Sequence, residues 1–167
     1  LSAADIDGDG DIDLVCTIYA NTLVWLKNPQ IGGGSWTSSN TVFVNNGGLS
    51  LPYKLITADM DGDGDIDIMV NDHNSNKLLL YKNDGFGDFG PSSGSSAIEI
   101  ISGSVSAEHI PVGDVDGDGD LDIIYGGAIY FNDGSGTMQY SQSLQYTGST
   151  YEPAMIAIGD IDGDGDL

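Results

Sequence analysis

Asp5-Ile-Asp-Gly-Asp-Gly-Asp-Ile-Asp13 is the stretch on which the fold turns, because it returns almost unchanged. It recurs as Asp59-Met-Asp-Gly-Asp-Gly-Asp-Ile-Asp67, as Asp114-Val-Asp-Gly-Asp-Gly-Asp-Leu-Asp122 and, ending at position 7, as Asp160-Ile-Asp-Gly-Asp-Gly-Asp166. The four starts lie 54, 55 and 46 residues apart, a spacing that marks a repeat architecture. Position 1 is Asp5, Asp59, Asp114 and Asp160; position 3 is Asp7, Asp61, Asp116 and Asp162. Position 5 is Asp9, Asp63, Asp118 and Asp164, and position 7 is Asp11, Asp65, Asp120 and Asp166. Position 9, present in three copies, is Asp13, Asp67 and Asp122.

The sequence around each loop repeats as well. An apolar stretch precedes it: Tyr53 to Ala58, His109 to Gly113, Ala154 to Gly159. A β-rich run follows, at Ile12 to Tyr19, Ile66 to Val70 and Leu121 to Tyr125. A third run, Thr22 to Leu26, Lys77 to Tyr81 and Ala128 to Phe131, leads to Asn28, Asn83 or Asn132. In two copies this asparagine begins Asn-Asp-Gly, a hairpin-turn signal. A fourth run opens with Trp36, Phe89 or Met138 and includes Thr41 to Val44, Ala97 to Ile101 and Ser143 to Thr147. Helical periodicity is nowhere visible, so the chain is expected to be all-β. Four antiparallel strands in about 50 residues is the size of one propeller blade.

Three such units are expected at 1–50, 51–105 and 106–150, with the first strand and partial loop of a fourth at 151–167. The opening inside a unit and the stop within the fourth loop suggest an excerpt of a larger propeller. In the second strand, Ile12, Leu14, Cys16 and Ile18 share one face, and Val15, Thr17 and Tyr19 the other. Apolar residues on both faces suit a sheet packed between neighbours. A two-layer sandwich competes, but strict repetition of a four-strand unit disfavours it.

The 167 residues carry 26 acids against four lysines and no arginine, for a formal charge of −22. That balance argues against binding nucleic acid or anionic lipid, which need basic surfaces. Nineteen of the acids sit in the four loops, so the charge is concentrated at a few points. No apolar run reaches the roughly 20 residues of a membrane span. Hydrophobic content of 40% exceeds that of a disordered acidic tail. Cys16, the sole cysteine, has no partner for an internal disulfide and reads as a small core residue. No basic n-region followed by an apolar h-region opens the sequence, so a signal peptide is not expected within it.

Aspartates at positions 1, 3, 5 and 9 with glycine at 6 make a cage for a hard cation. Calcium takes six to eight oxygens in flexible geometry, and alternate residues of a tight loop converge on one point. Position 7 is expected to offer its carbonyl oxygen. The loop is not an EF-hand, because position 12 holds Cys16, Val70 or Tyr125 in place of a bidentate glutamate. Magnesium suits it less well, since it demands octahedral geometry and keeps its waters. Catalytic metal use is not expected, because no histidine or cysteine accompanies the carboxylates. The other reading is an acidic turn that binds nothing. It leaves five mutually repelling carboxylates per loop uncompensated.

The loop pattern, followed by Leu80-Tyr-Lys-Asn-Asp-Gly-Phe-Gly-Asp-Phe-Gly-Pro91, resembles FG-GAP or VCBS-type repeats, relatives of the integrin α-chain propeller. The resemblance implies a calcium-binding β-propeller of a secreted or cell-surface protein. It implies ligands at the loop aspartates, with about three complete Ca2+ sites and an incomplete fourth. A non-enzymatic structural or adhesive module is expected, its partners being other blades of the same longer chain or other copies, with an extracellular protein or glycan as a further candidate. The alternative is a carbohydrate-binding propeller, or the propeller part of a polysaccharide-degrading enzyme. Trp25, Trp36, Tyr81, Phe89, Tyr130 and Phe131 would be available for sugar stacking, although their matching repeat positions favour core packing.

Overall fold

A computed structural model describes residues 1–18, 21–29, 34–45, 48–90, 97–103, 109–144, 156–163, 165 and 167. Twelve strands occur among them. The first sheet holds β1 (Ser2–Ala4), β2 (Asp13–Ile18), β3 (Thr22–Leu26) and β4 (Thr41–Asn45). The second holds β5 (Pro52–Ala58), β6 (Asp67–Asp72), β7 (Lys77–Tyr81) and β8 (Ile98–Ser102). The third holds β9 (Val112–Gly113), β10 (Asp122–Tyr125), β11 (Ala128–Asn132) and β12 (Met138–Ser143). All pairings are antiparallel between chain neighbours. The chain is therefore all-β, built of three four-stranded meanders shaped like propeller blades.

Each of the first three aspartate loops joins the first and second strands of its sheet. Position 9 is the first residue of the second strand, which brings a carboxylate of the ladder back towards the start of the loop. The third and fourth strands of every sheet slip by a residue at the same place, between Leu23 and Val24, Leu78 and Leu79, and Ile129 and Tyr130. The repeat thus extends to the irregularities of the ladder.

The middle sheet is packed on both faces. All six residues of β6 are buried. Ile68, Val70 and Tyr81 join Val15, Leu23, Trp25 and Val44 in a core between the first and second sheets. Met69, Leu78 and Leu80 join Ile123 and Tyr125 in a core between the second and third. Each fully buried side chain of this size contributes roughly 1.5–3 kcal/mol.

The two-faced burial anticipated for β2 is not observed. Val15 is packed, but Leu14 and Cys16 are half-buried, and Ile12 and Ile18 are 56% and 45% exposed. None of the three described sheets covers that side of the first blade. Trp36 differs from expectation for the same reason. It is 47% exposed, whereas Phe89 at the matching place in the second repeat lies in the core against the first sheet. Trp25 and Tyr81 are buried as anticipated, and Tyr130 and Phe131 are half-buried.

Asn-Asp-Gly does not form two-residue hairpins. β7 and β8 are separated by residues 82–97, and β11 and β12 by the five-residue loop 133–137. There Asp84 Oδ1 accepts the backbone N–H groups of Phe86 and Asp88, and Asp133 Oδ1 that of Ser135, so the aspartate caps a longer loop. The true two-residue turn is Gly126-Gly127, where Tyr125 pairs with Ala128 and both glycines have positive φ. The fourth strand of the third unit runs over 138–143; residues 145–147, anticipated in it, lie outside the described residues. Residues 156–159 form no strand.

Candidate metal centres

The described glycines of all four loops adopt one backbone conformation. Glycines at positions 4 and 6 take φ of 69° and 91° in the first loop, 72° and 95° in the second, 81° and 100° in the third, and 80° and 101° in the fourth. Side chains with a Cβ are strained in that region, so both glycines are required for the coil. The position-1 carboxylate fastens it. Asp5 Oδ2 accepts the N–H of Gly10 at 2.9 Å, and Asp59, Asp114 and Asp160 accept the corresponding bonds from Gly64, Gly119 and Gly165 at 2.9, 3.0 and 2.9 Å.

Position 9 closes the loop from the strand. Asp67 is fully buried; its Oδ2 accepts the N–H of Met60 at 3.0 Å and its Oδ1 that of Asn83 at 2.9 Å. Asp13 accepts from Ile6 and Asn28, and Asp122 from Val115 and Asn132, in the same way. Burial raises Asp67 to about 6, against the two N–H donors that lower it, with Asp61 and Asp63 adding repulsion. Asp65, Asp116 and Asp120 are also raised, first by desolvation and then by neighbouring aspartates. These shifts express first the cost of taking carboxylates out of water, to which the charge of neighbouring aspartates adds.

Three carboxylates converge in each of the first three loops. Oxygens of Asp5, Asp7 and Asp13 lie within 4.8 Å of one another, as do those of Asp59, Asp61 and Asp67 and those of Asp114, Asp116 and Asp122. These are positions 1, 3 and 9. Position 5 stands outside the groups: Asp9, Asp63 and Asp118 accept the N–H of the position-7 residue through Oδ1. Position 7 points elsewhere, since a Cβ on Gly85 would meet Asp65 Oδ2 at 2.5 Å and one on Gly134 would meet Asp120 Oδ2 at 2.6 Å. Of the fourth loop, Asp160 and Asp162 are exposed, and Asp164 and Asp166 lie outside the described residues.

The fit of a cation rests on oxygens with nothing to bind. Asp5 Oδ1, Asp7 Oδ1 and Asp61 Oδ1 are buried and lack a hydrogen-bond partner. A buried carboxylate oxygen without a donor is costly, and a metal ion is the ligand that three converging carboxylates accommodate.

Two features escaped the sequence reading. Lysines stand at the first two clusters: Lys27 pairs with Asp7 and, at 3.2 Å, with Asp9, and Lys82 lies 3.0 Å from Asp61. The recurrence of Lys-Asn after the third strand was the available signal. The asparagine itself ties neighbouring sheets. Asn83 Nδ2 donates to Ile6 O at 2.7 Å and Ile66 O at 3.1 Å, and Asn132 Nδ2 to Met60 O at 2.8 Å and Leu121 O at 3.1 Å. Each amide thereby joins position 2 of the preceding loop to position 8 of its own.

Blade-like sheets whose first two strands are joined by an aspartate coil define a class of repeat protein. The FG-GAP-like repeat matches the chain twice, over residues 5–70 and 59–125. The chain belongs to this repeat family. No curated protein is significantly similar to it in sequence. Among the described residues, no helix is long and apolar enough to cross a membrane.

Proposed function

We propose that this chain is a calcium-stabilised structural module of a secreted or cell-surface protein, serving adhesion or assembly without catalysis. The observation that carries the reading is the convergence of three aspartates in each of three groups, with buried, unpartnered carboxylate oxygens in the first two, at Asp5, Asp7 and Asp61. Asp5, Asp7 and Asp13 would hold one ion, Asp59, Asp61 and Asp67 a second, and Asp114, Asp116 and Asp122 a third. The calcium ion supplies positive charge at the points where the fold concentrates its negative charge. Asp13, Asp67 and Asp122 already accept two backbone N–H groups each, yet a carboxylate has about four lone-pair directions and retains capacity for a metal.

The protein's own residues do the rest. Position 1 winds the coil, position 9 anchors it to the second strand, and the asparagine after the third strand locks it to the next sheet. Secretion is supported by the repeat family, and millimolar extracellular calcium suits loops whose relatives in other folds bind at about 0.1–1 mM. Stabilisation by mass action is then about 1 kcal/mol per site. The ions act as parts of the framework.

Elemental analysis of the purified chain, paired with thermal melts before and after chelation, tests this reading. About three calcium ions per chain and a melting point lowered by several degrees on chelation are expected. Absence of bound calcium at millimolar supply, or a melt indifferent to chelator, would overturn it.

A further inference from the structure

The three carboxylate groups are not equivalent, and the difference lies in one residue. The position before the stapling asparagine is Lys27 in the first repeat, Lys82 in the second and Phe131 in the third. In the first two, the ammonium binds the position-3 carboxylate through Oδ2, while Oδ1 of the same carboxylate is buried and unpartnered. These side chains are accordingly well covered, Asp7 at 9% and Asp61 at 13% exposure. Asp116, the third-repeat counterpart, is exposed, and no lysine of the chain pairs with Asp114, Asp116 or Asp122. Lys82 also donates to Ser135 O at 2.7 Å, which pins its ammonium between the second loop and the next sheet.

We propose that Lys27 and Lys82 are built-in counter-ions that grade the calcium sites, leaving the Asp114, Asp116 and Asp122 site the tightest of the three. This deepens the proposed function and rests on it. A lysine acts at both ends of the binding equilibrium. Without calcium it offsets carboxylate repulsion, so the first two loops gain less when an ion arrives. With calcium it is a like charge sharing a carboxylate with the ion. At a separation of about 6 Å, the repulsion between a divalent and a monovalent cation amounts to about ten-fold in affinity even at the dielectric constant of water. Salt screening reduces that to about three- to ten-fold. The third loop has neither relief nor repulsion.

Calcium titration by calorimetry, on the whole chain freed of metal, is the test. The unaltered protein should bind one ion three- to ten-fold more tightly than the other two. The double variant Lys27→Met, Lys82→Met keeps the apolar stems and should bring the two weaker sites up to the third. Phe131→Lys, whose stem can follow the half-buried phenyl position, should remove the tight class. A second readout needs no calcium: the metal-free double variant should melt lower than the metal-free parent, because two offsetting charges are gone. Three equal affinities unchanged by the double variant, or a double variant that binds more weakly, would overturn the counter-ion assignment while leaving the calcium reading intact. No calcium binding by the parent would overturn both.

Discussion

Asn83→Ala is the substitution that most directly tests how the sheets are held together. The side chain is 5% exposed and makes three bonds: Nδ2 to Ile6 O at 2.7 Å, Nδ2 to Ile66 O at 3.1 Å, and Oδ1 from the N–H of Gly87 at 3.0 Å. Alanine removes all three and leaves a buried carbonyl and a buried N–H unpartnered. At roughly 0.5–1.5 kcal/mol net per bond, with the larger figure where a buried group is stranded, the loss is about 3 kcal/mol. For a chain of this size that is about 6–12 °C in melting temperature. Asn28→Ala is the internal comparison. It occupies the same place in the first repeat, where its amide donates to Ile12 O at 2.8 Å, the counterpart of the Asn83 bond to Ile66 O, and the expected cost is about 1 kcal/mol less than for Asn83→Ala. Urea unfolding followed by the fluorescence of buried Trp25 measures both, and Asn132→Ala should match Asn83→Ala. Equal losses for Asn28→Ala and Asn83→Ala would refute the idea that the asparagine joins sheets and not merely closes its own loop.

Gly87→Ala should cost about 2–4 kcal/mol, because φ is +77° and the new methyl would lie 2.2 Å from Trp25 Cζ3. Gly136→Ala, with the same φ but facing the movable Leu80 Cδ2 at 2.8 Å, should cost about half as much; the two denaturation midpoints decide. In chelator, stability should rise as pH falls from 7 to 5.5. Asp67 is raised to about 6 in the folded chain, while its unfolded value is about 3.9, so only the folded state holds that proton between these values. Its stabilising contribution is therefore complete below the unfolded value and lost as pH rises through the folded one. Between pH 7 and 5.5 that gain is under about 1 kcal/mol after allowance for solvent screening, or about 1–3 °C, and a flat melting profile in chelator would contradict it. With saturating calcium the slope should reverse, because protons and the ion compete for the same oxygens.

The loops were legible from sequence because their chemistry is local. Aspartate spacing and glycine placement determine a coil in which few distant residues take part, and the strands following it alternate visibly. What stayed hidden depends on neighbours. Asn-Asp-Gly carries the local signal of a tight turn, yet Asn83 and Asn132 spend their amides on carbonyls 77 and 72 residues away. Trp36 and Phe89 read alike, and the difference between them is whether another sheet stands alongside. Likewise, alternation in β2 shows which residues share a face but not whether that face is covered. Position 5 looks equal to position 3 in the sequence, and only the fold shows that its carboxylate bonds back to the loop. Lys27 and Lys82 are ordinary polar residues until the third strand ends beside an aspartate coil.

The asparagine bonds run in one direction, each sheet reaching back to grip the loop before it. Structure in such an array has a polarity, like that of a zip fastener: every unit that forms completes the unit preceding it. Asn83 touches the second residue of one aspartate coil and the eighth of the next, so the two coils share a rigid strut. An ion that orders one of them makes ordering the other easier, and the effect passes from neighbour to neighbour. Stability in an array of this kind is a property of the joints between units more than of the units themselves. Weakening one joint should accordingly loosen the coupling between the two units it links more than the units themselves.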